Sequence, residues 1–114
     1  MSASVSIRHD GRVAIIDLAG RITLNEGAGS IRSSVKTVME GGHQNILLNM
    51  SEVSYIDSAG LGEMSSAYIT VSRLGGRLKL CSPQPKVHAM LQVTRLYTLF
   101  ASFADERSAL DSFR

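Results

Sequence analysis

Ile46-Leu47-Leu48-Asn49-Met50-Ser51-Glu52-Val53-Ser54-Tyr55-Ile56-Asp57-Ser58-Ala59-Gly60-Leu61-Gly62 holds the main change of pattern in this chain. Ile46, Leu47 and Leu48 form a short continuous apolar run, as in a strand covered on both faces. From Ser51 to Asp57 the sequence turns polar, which reads as a loop anchored by Val53 and Ile56. Beyond Asp57 the period changes. Leu61, Met64, Tyr68 and Val71 recur at helical spacing, and Gly75-Gly76 ends the helix. A covered strand that hands over to a helix is the repeating unit of α/β sheets.

The flanking segments extend this pattern. Before it, Val5 and Ile7 alternate with polar residues, Asp10-Gly11 is a tight-turn signal, and Val13 to Leu18 follows, so the chain opens on a hairpin. Gly20 breaks that second strand. From roughly Asn25 to Glu40, Ala28, Ile31, Val35, Val38 and Met39 lie at helical spacing, and Gly41-Gly42 stops the helix. After Gly75-Gly76, Leu78 to Cys81 reads as a strand. Pro83 and Pro85 lead into a helix carrying Val87, Met90 and Leu91, since proline suits a first turn. Leu99 to Phe103 reads as a last strand, and Ala109, Leu110 and Phe113 mark a short terminal helix. The expected fold class is α/β: a mixed sheet of four or five strands with an opening hairpin, right-handed crossovers and about four helices.

A chain of 114 residues fits one domain that buries about two thirds of its unfolded surface. With 44% hydrophobic and 19% charged residues it is globular rather than disordered. Its longest apolar runs, such as Val13-Ala14-Ile15-Ile16, are too short to span a bilayer. The start Met1-Ser2-Ala3-Ser4 lacks a basic segment and an apolar signal core, so the expectation is a cytoplasmic protein that does not act at a membrane. The net charge of +2 comes from scattered Lys and Arg with few aromatics, which argues against direct nucleic-acid binding. A lone Cys81 excludes an internal disulfide, and its place in Leu78-Lys79-Leu80-Cys81 suggests a small strand residue rather than a reactive thiol.

Functional groups in such sheets gather beyond the carboxyl ends of the strands, where Ser58 is expected. The local sequence leaves two compatible readings of Ser58. It is a helix cap, accepting from the Leu61 amide, or an accessible hydroxyl whose phosphate a helix start would tolerate. Asp57 is the alternative cap. On the same helix Gly62, Ser65, Ile69 and Ser72 form a stripe of small residues on which a partner could dock closely; the plain alternative has Ile69 packed under a neighbouring loop. Catalytic use of Ser58 has little support: a nucleophile elbow needs glycine where Ile56 stands. His9, His43 and His88 sit at a turn, a turn and an ordinary helix. No His or Cys pair has metal-ligand spacing, and Gly41-Gly42 and Gly75-Gly76 are helix stops, so neither a metal nor a cofactor is expected.

The motifs Leu18-Ala19-Gly20-Arg21-Ile22, Asn45 to Met50, Val53-Ser54-Tyr55-Ile56-Asp57-Ser58-Ala59-Gly60-Leu61-Gly62 and Gly75-Gly76-Arg77-Leu78-Lys79-Leu80 resemble the STAS domain family, within it the anti-sigma factor antagonists. Val87 to Leu91 and Leu96-Tyr97-Thr98-Leu99-Phe100 extend the resemblance over nearly the whole chain. It implies one STAS domain over residues 1–114, with Ser58 as the phosphorylation site. It further implies a bacterial partner switch whose unphosphorylated form binds an anti-sigma factor and so frees a sigma factor. That anti-sigma factor is the serine kinase, a separate serine phosphatase resets the switch, and the antagonist is a ligand and substrate rather than an enzyme. The partner surface implied takes in Thr23, Asp57, Ser58, Ala59, Gly60, Gly62, Ser65 and Ile69. Two positions depart from the pattern: Ala59 stands where many relatives have a second serine, and Thr23 where many have an acid. The alternative is a STAS adaptor, in a signalling scaffold or a lipid- or anion-transport assembly, that uses the same surface without switching.

Overall fold

The computed structural model describes residues 3–25 and 27–114. Strands β1 (Ser4–Asp10), β2 (Val13–Ile22), β3 (Asn45–Ile56), β4 (Arg77–Cys81) and β5 (Ser102–Phe103) form one sheet in that spatial order. β1 and β2 pair antiparallel as the expected hairpin, and the remaining neighbours pair in parallel. Between them run helices α1 (Ala28–Glu40), α2 (Ser58–Arg73) and α3 (Pro85–Val93), with α4 (Glu106–Asp111) closing the chain. This is the expected α/β mixed sheet, with five strands and four helices.

Each parallel pair requires a crossover, and the helical crossovers pack on one face of the sheet. Ala14, Ile16 and Leu18 of β2, Ile46, Leu48 and Met50 of β3, and Leu78 and Leu80 of β4 meet the apolar stripes of α1, α2 and α3 there. The alternate residues Val13, Ile15, Leu47 and Cys81 face the other way, against Ala109 and Phe113. That is why Ile46-Leu47-Leu48 reads as an unbroken apolar run: both faces of central β3 are covered. Cys81 is fully buried, and burial pushes its thiol up to about 11, so it carries almost no thiolate at neutral pH.

Three strand boundaries differ from the sequence reading. β2 continues through Gly20 to Ile22 instead of breaking, with Gly20 at φ +90°. β3 continues to Ile56, so the stretch from Ser51 to Ile56 is strand and not loop. Both corrections have one cause. The β2–β3 register shifts between Asp17 and Ala19, and again between Gly20 and Arg21, each time taking one extra residue from β3. Such bulges break the two-residue period without ending the strand. Buried positions in β3 therefore fall at Met50, Val53 and Ile56, three apart. Third, the last strand is shorter than Leu99 to Phe103: a single 3₁₀ turn covers Leu96–Thr98, Phe100 is buried, and only Ser102–Phe103 pairs.

Helix α1 starts at Ala28 rather than near Asn25, because Thr23 bridges Gly27 and closes a tight turn first. Glu26, inside that expected span, and the Ala28 side chain, counted in its apolar pattern, lie outside the described residues.

Candidate functional site

The two bulges carry β2 and β3 past the body of the sheet together, so Ile22 lies beside Ile56. Their next residues, Thr23 and Asp57, open the β2–α1 turn and the β3–α2 junction. Asp57 joins the two segments. Its amide donates to the Ile22 carbonyl at 3.2 Å. One carboxylate oxygen accepts from the Gly60 amide at 2.9 Å and the other from the Leu24 amide at 3.1 Å.

Asp57 is thus the N-cap of α2, with extended backbone at φ −104°, and Ser58 is the first helical residue. The reading of Ser58 as the cap is corrected here. Because β3 runs to Ile56, the chain leaves its extended conformation one residue earlier than a loop would. The Leu61 amide then bonds the Asp57 carbonyl at 2.9 Å as the first helical hydrogen bond, not the Ser58 hydroxyl. Among the described residues the Ser58 hydroxyl has no hydrogen-bond partner, and Ser58 is exposed.

The Gly60 amide, followed by those of Leu24 and Ala59, holds the Asp57 carboxyl below its ordinary value of 3.8. A carboxylate that amides favour when ionised stabilises the fold above that value, and this contribution fades as pH falls through the lowered one. Asp57→Asn keeps one accepting oxygen for the cap but removes the charge and the second of the two acceptors. We expect its melting temperature to lie below that of the native protein at neutral pH, the gap closing as pH falls through the lowered value. A gap independent of pH, measured by calorimetry, would contradict this account.

Gly60 is buried at the contact between α2 and the end of β2. A Cβ there would stand 2.6 Å from the Ile22 carbonyl oxygen and 2.6 Å from Ile56 Cγ1. Gly62 meets nothing within 4 Å and faces solvent. Offsets of 4, 7, 11 and 14 residues put Gly62, Ser65, Ile69 and Ser72 on the stripe of α2 that begins at Ser58. The core stripe of the same helix is Leu61, Met64, Ala67 and Val71. Ile69 is 49% exposed, so it is not packed under a neighbouring loop. Ser65 is half-buried, its hydroxyl donating to the Leu61 carbonyl at 3.0 Å. Ala59 is half-buried beside Ser58.

Thr23 enters the site from β2 but is only 8% exposed, whereas its neighbour Leu24 is 75% exposed. Sequence reasoning passed over Leu24; the available signal was an apolar residue in an otherwise polar turn, Thr23-Leu24-Asn25. Below the junction Arg21 and Tyr55 pair across the strands, the guanidinium 4.8 Å from the ring centroid.

The histidines lie elsewhere. His9 and His43 lie ring against ring, centroids 4.5 Å apart and tilted by 38°, near the N-terminal end of β3 and so at the opposite end of the sheet from Ser58. His88 is on α3, beside Gln92. Among the described residues no three His, Cys, Asp or Glu side chains gather as metal ligands. None of the described helices is long and apolar enough to cross a membrane.

Known proteins resemble this chain in sequence and fold. Over 111 residues the chain is 23% identical to the anti-sigma F factor antagonist of Paenibacillus polymyxa, covering 96% of this chain and 94% of that one. Its fold matches the crystal structure of an anti-sigma factor antagonist from Mycobacterium paratuberculosis with a TM-score of 0.87 at 16% identity, over 97% and 93% of the two chains. It matches the Bacillus cell fate determinant SpoIIAA, solved in its phosphorylated form, with a TM-score of 0.73 at 23% identity, over 97% and 100%. The sequence profile of the STAS domain matches residues 4–109. A match over that span, nearly the whole chain, places it in the STAS domain family.

Proposed function

We propose that this protein is an anti-sigma factor antagonist that works as a phosphorylation-controlled partner switch. The observation that carries the reading is an exposed Ser58 hydroxyl in the first turn of α2, left without a structural task because Asp57 caps the helix. A phosphate on that oxygen projects into solvent at the positive end of the α2 dipole and disturbs no internal bond. Support from outside the chain is its likeness to proteins named anti-sigma factor antagonists.

In this reading the unmodified protein binds the anti-sigma factor through Ser58 and its surroundings: Asp57, Ala59, Gly60 and Gly62, then Ser65 and Ile69 along α2, with Thr23 beneath. Binding releases the sigma factor. The anti-sigma factor is also the kinase, transferring the γ-phosphoryl group of ATP to Ser58 Oγ while a base of the kinase takes the hydroxyl proton. Phospho-Ser58 ends the complex, and a serine phosphatase restores the hydroxyl. The protein acts in the cytoplasm as ligand and substrate, and no step needs catalytic chemistry from its own residues.

Mass spectrometry with peptide mapping, after incubation with the cognate kinase and ATP, tests the reading. One phosphoryl group on Ser58 is expected, with none on Ser58→Ala. Modification confined to another residue would sink it.

A further inference from the structure

Among the described residues Leu24, Val93, Leu74, Ile69 and Tyr97 are the most exposed large apolar side chains. An isolated exposed leucine is ordinary on a protein surface. Leu24 differs from the others in how its backbone is held. Its amide donates to the Asp57 carboxylate, the same group whose second oxygen caps the helix that begins with Ser58. The residue before it is buried, the residue before that accepts the Asp57 amide, and the turn is closed by the Thr23–Gly27 bridge. The backbone of a 75% exposed leucine is therefore tied through its amide to the Ser58 helix start. Leu74, by contrast, lies one α2 length away, about 24 Å along the helix axis.

Resting on the switch reading above, we propose that Leu24 is the apolar anchor of the Ser58 interface. It seats in a nonpolar pocket of the serine kinase next to that enzyme's phosphoryl-transfer site, and Asp57 is the positioning residue that aims it. Two physical arguments favour this. Interfaces concentrate their affinity in a few apolar side chains that become fully desolvated, and the small exposed residues around Ser58 supply no other such group within its turn. An anchor whose backbone is already fixed loses little conformational freedom on docking, so its burial converts more fully into affinity.

Such a contact is made equally in the bound ground state and in the transition state, so it acts on KM and leaves kcat alone. The test is steady-state phosphorylation of the full chain by its cognate serine kinase, comparing native protein with Leu24→Ala, Leu24→Met and Asp57→Ala. Leu24→Ala is expected to raise KM by roughly 10- to 30-fold with kcat unchanged. Leu24→Met, similar in volume, is expected to stay within about threefold of native. Asp57→Ala is expected to raise KM as well. The double variant Leu24→Ala/Asp57→Ala should be less impaired than the product of the two single effects, because both act through one side chain.

The melting temperature of Leu24→Ala should equal the native one, which separates the effect from loss of fold. A native KM for Leu24→Ala, with Ser58 still phosphorylated, overturns the anchor and leaves the switch standing. A fall in kcat alone overturns it too, by placing Leu24 in the chemical step. Failure of the kinase to modify the native chain sinks both readings together.

Discussion

Ser58→Asp and Ser58→Glu should lower affinity for the anti-sigma factor by at least about a hundredfold, while moving the melting temperature by less than about 2 °C. The size follows from where the charge must go. A phosphate brings about −1.5 to −2 charges at neutral pH, and a carboxylate about −1, beside the ionised Asp57. In the free protein this charge sits in solvent at the start of a 16-residue helix. The helix amides offset it there by roughly 0.3–1 kcal/mol, against some repulsion from Asp57. In a complex the same group must be stripped of water against the partner, and an uncompensated buried charge costs roughly 3–5 kcal/mol. The difference falls on binding and not on folding. Ser58→Ala gives the complementary result. Because Asp57 and not Ser58 supplies the capping bond, the substitution should change stability by no more than about 0.5 kcal/mol. It should keep full affinity and resist the kinase. Titration calorimetry and thermal melts on the same samples check all three variants. Equal affinities for the unmodified and phosphorylated forms would refute the switch and favour a constitutive STAS adaptor.

Gly60→Ala and Gly62→Ala, two residues apart in one helix, should change stability in opposite directions. Alanine in a helix interior is favoured over glycine by about 1 kcal/mol, so the intrinsic gain is shared by both. At Gly62 nothing opposes it, as a Cβ there meets no atom within 4 Å. The expected outcome is a gain of about 0.5–1 kcal/mol, or roughly 2–5 °C. At Gly60 a Cβ would stand 2.6 Å from the backbone oxygen of Ile22 and 2.6 Å from Ile56 Cγ1. Neither neighbour can yield freely, because Ile22 and Ile56 are paired strand residues and both are buried. The start of α2 must lift away from β2, stretching the Asp57 bonds to Ile22 and Leu24. Overpacking of this kind costs roughly 1–3 kcal/mol or more, beyond the helix gain. Gly60→Ala should therefore melt several degrees lower and bind its partner more weakly, since the Leu24 turn and Ser58 lose their common support. A Gly60→Ala protein as stable as Gly62→Ala would show that the close approach is not needed.

Much of the fold was legible because each element is locally consistent. Asp10-Gly11 between alternating segments specifies a hairpin, the stripes Ile31-Val35-Val38 and Leu61-Met64-Val71 specify helices, and Ile46-Leu47-Leu48 specifies a strand covered twice. Those features required one sheet with helices against it. They also put Ser58 just past a strand, at the head of a helix.

Local patterning did not reveal how far β2 and β3 run. Gly20 reads as a breaker and Ser51 to Asp57 as a loop because a period-2 test fails where a bulge inserts a residue. Only the pairing partner across the sheet shows that Met50, Val53 and Ile56 still face one core. The assignment of the cap depended on that extension, since Asp57 rather than Ser58 becomes the last extended residue. The join between Asp57 and Leu24 spans 33 residues of sequence, a distance over which no periodicity carries information. The sequence by itself therefore determined that an opening hairpin, a covered central strand and helices against the sheet form, and that Ser58 lies at the head of one helix. Tertiary structure alone decided which groups stand beside that serine, because bulged register and long-range hydrogen bonds are properties of paired strands and not of any one segment.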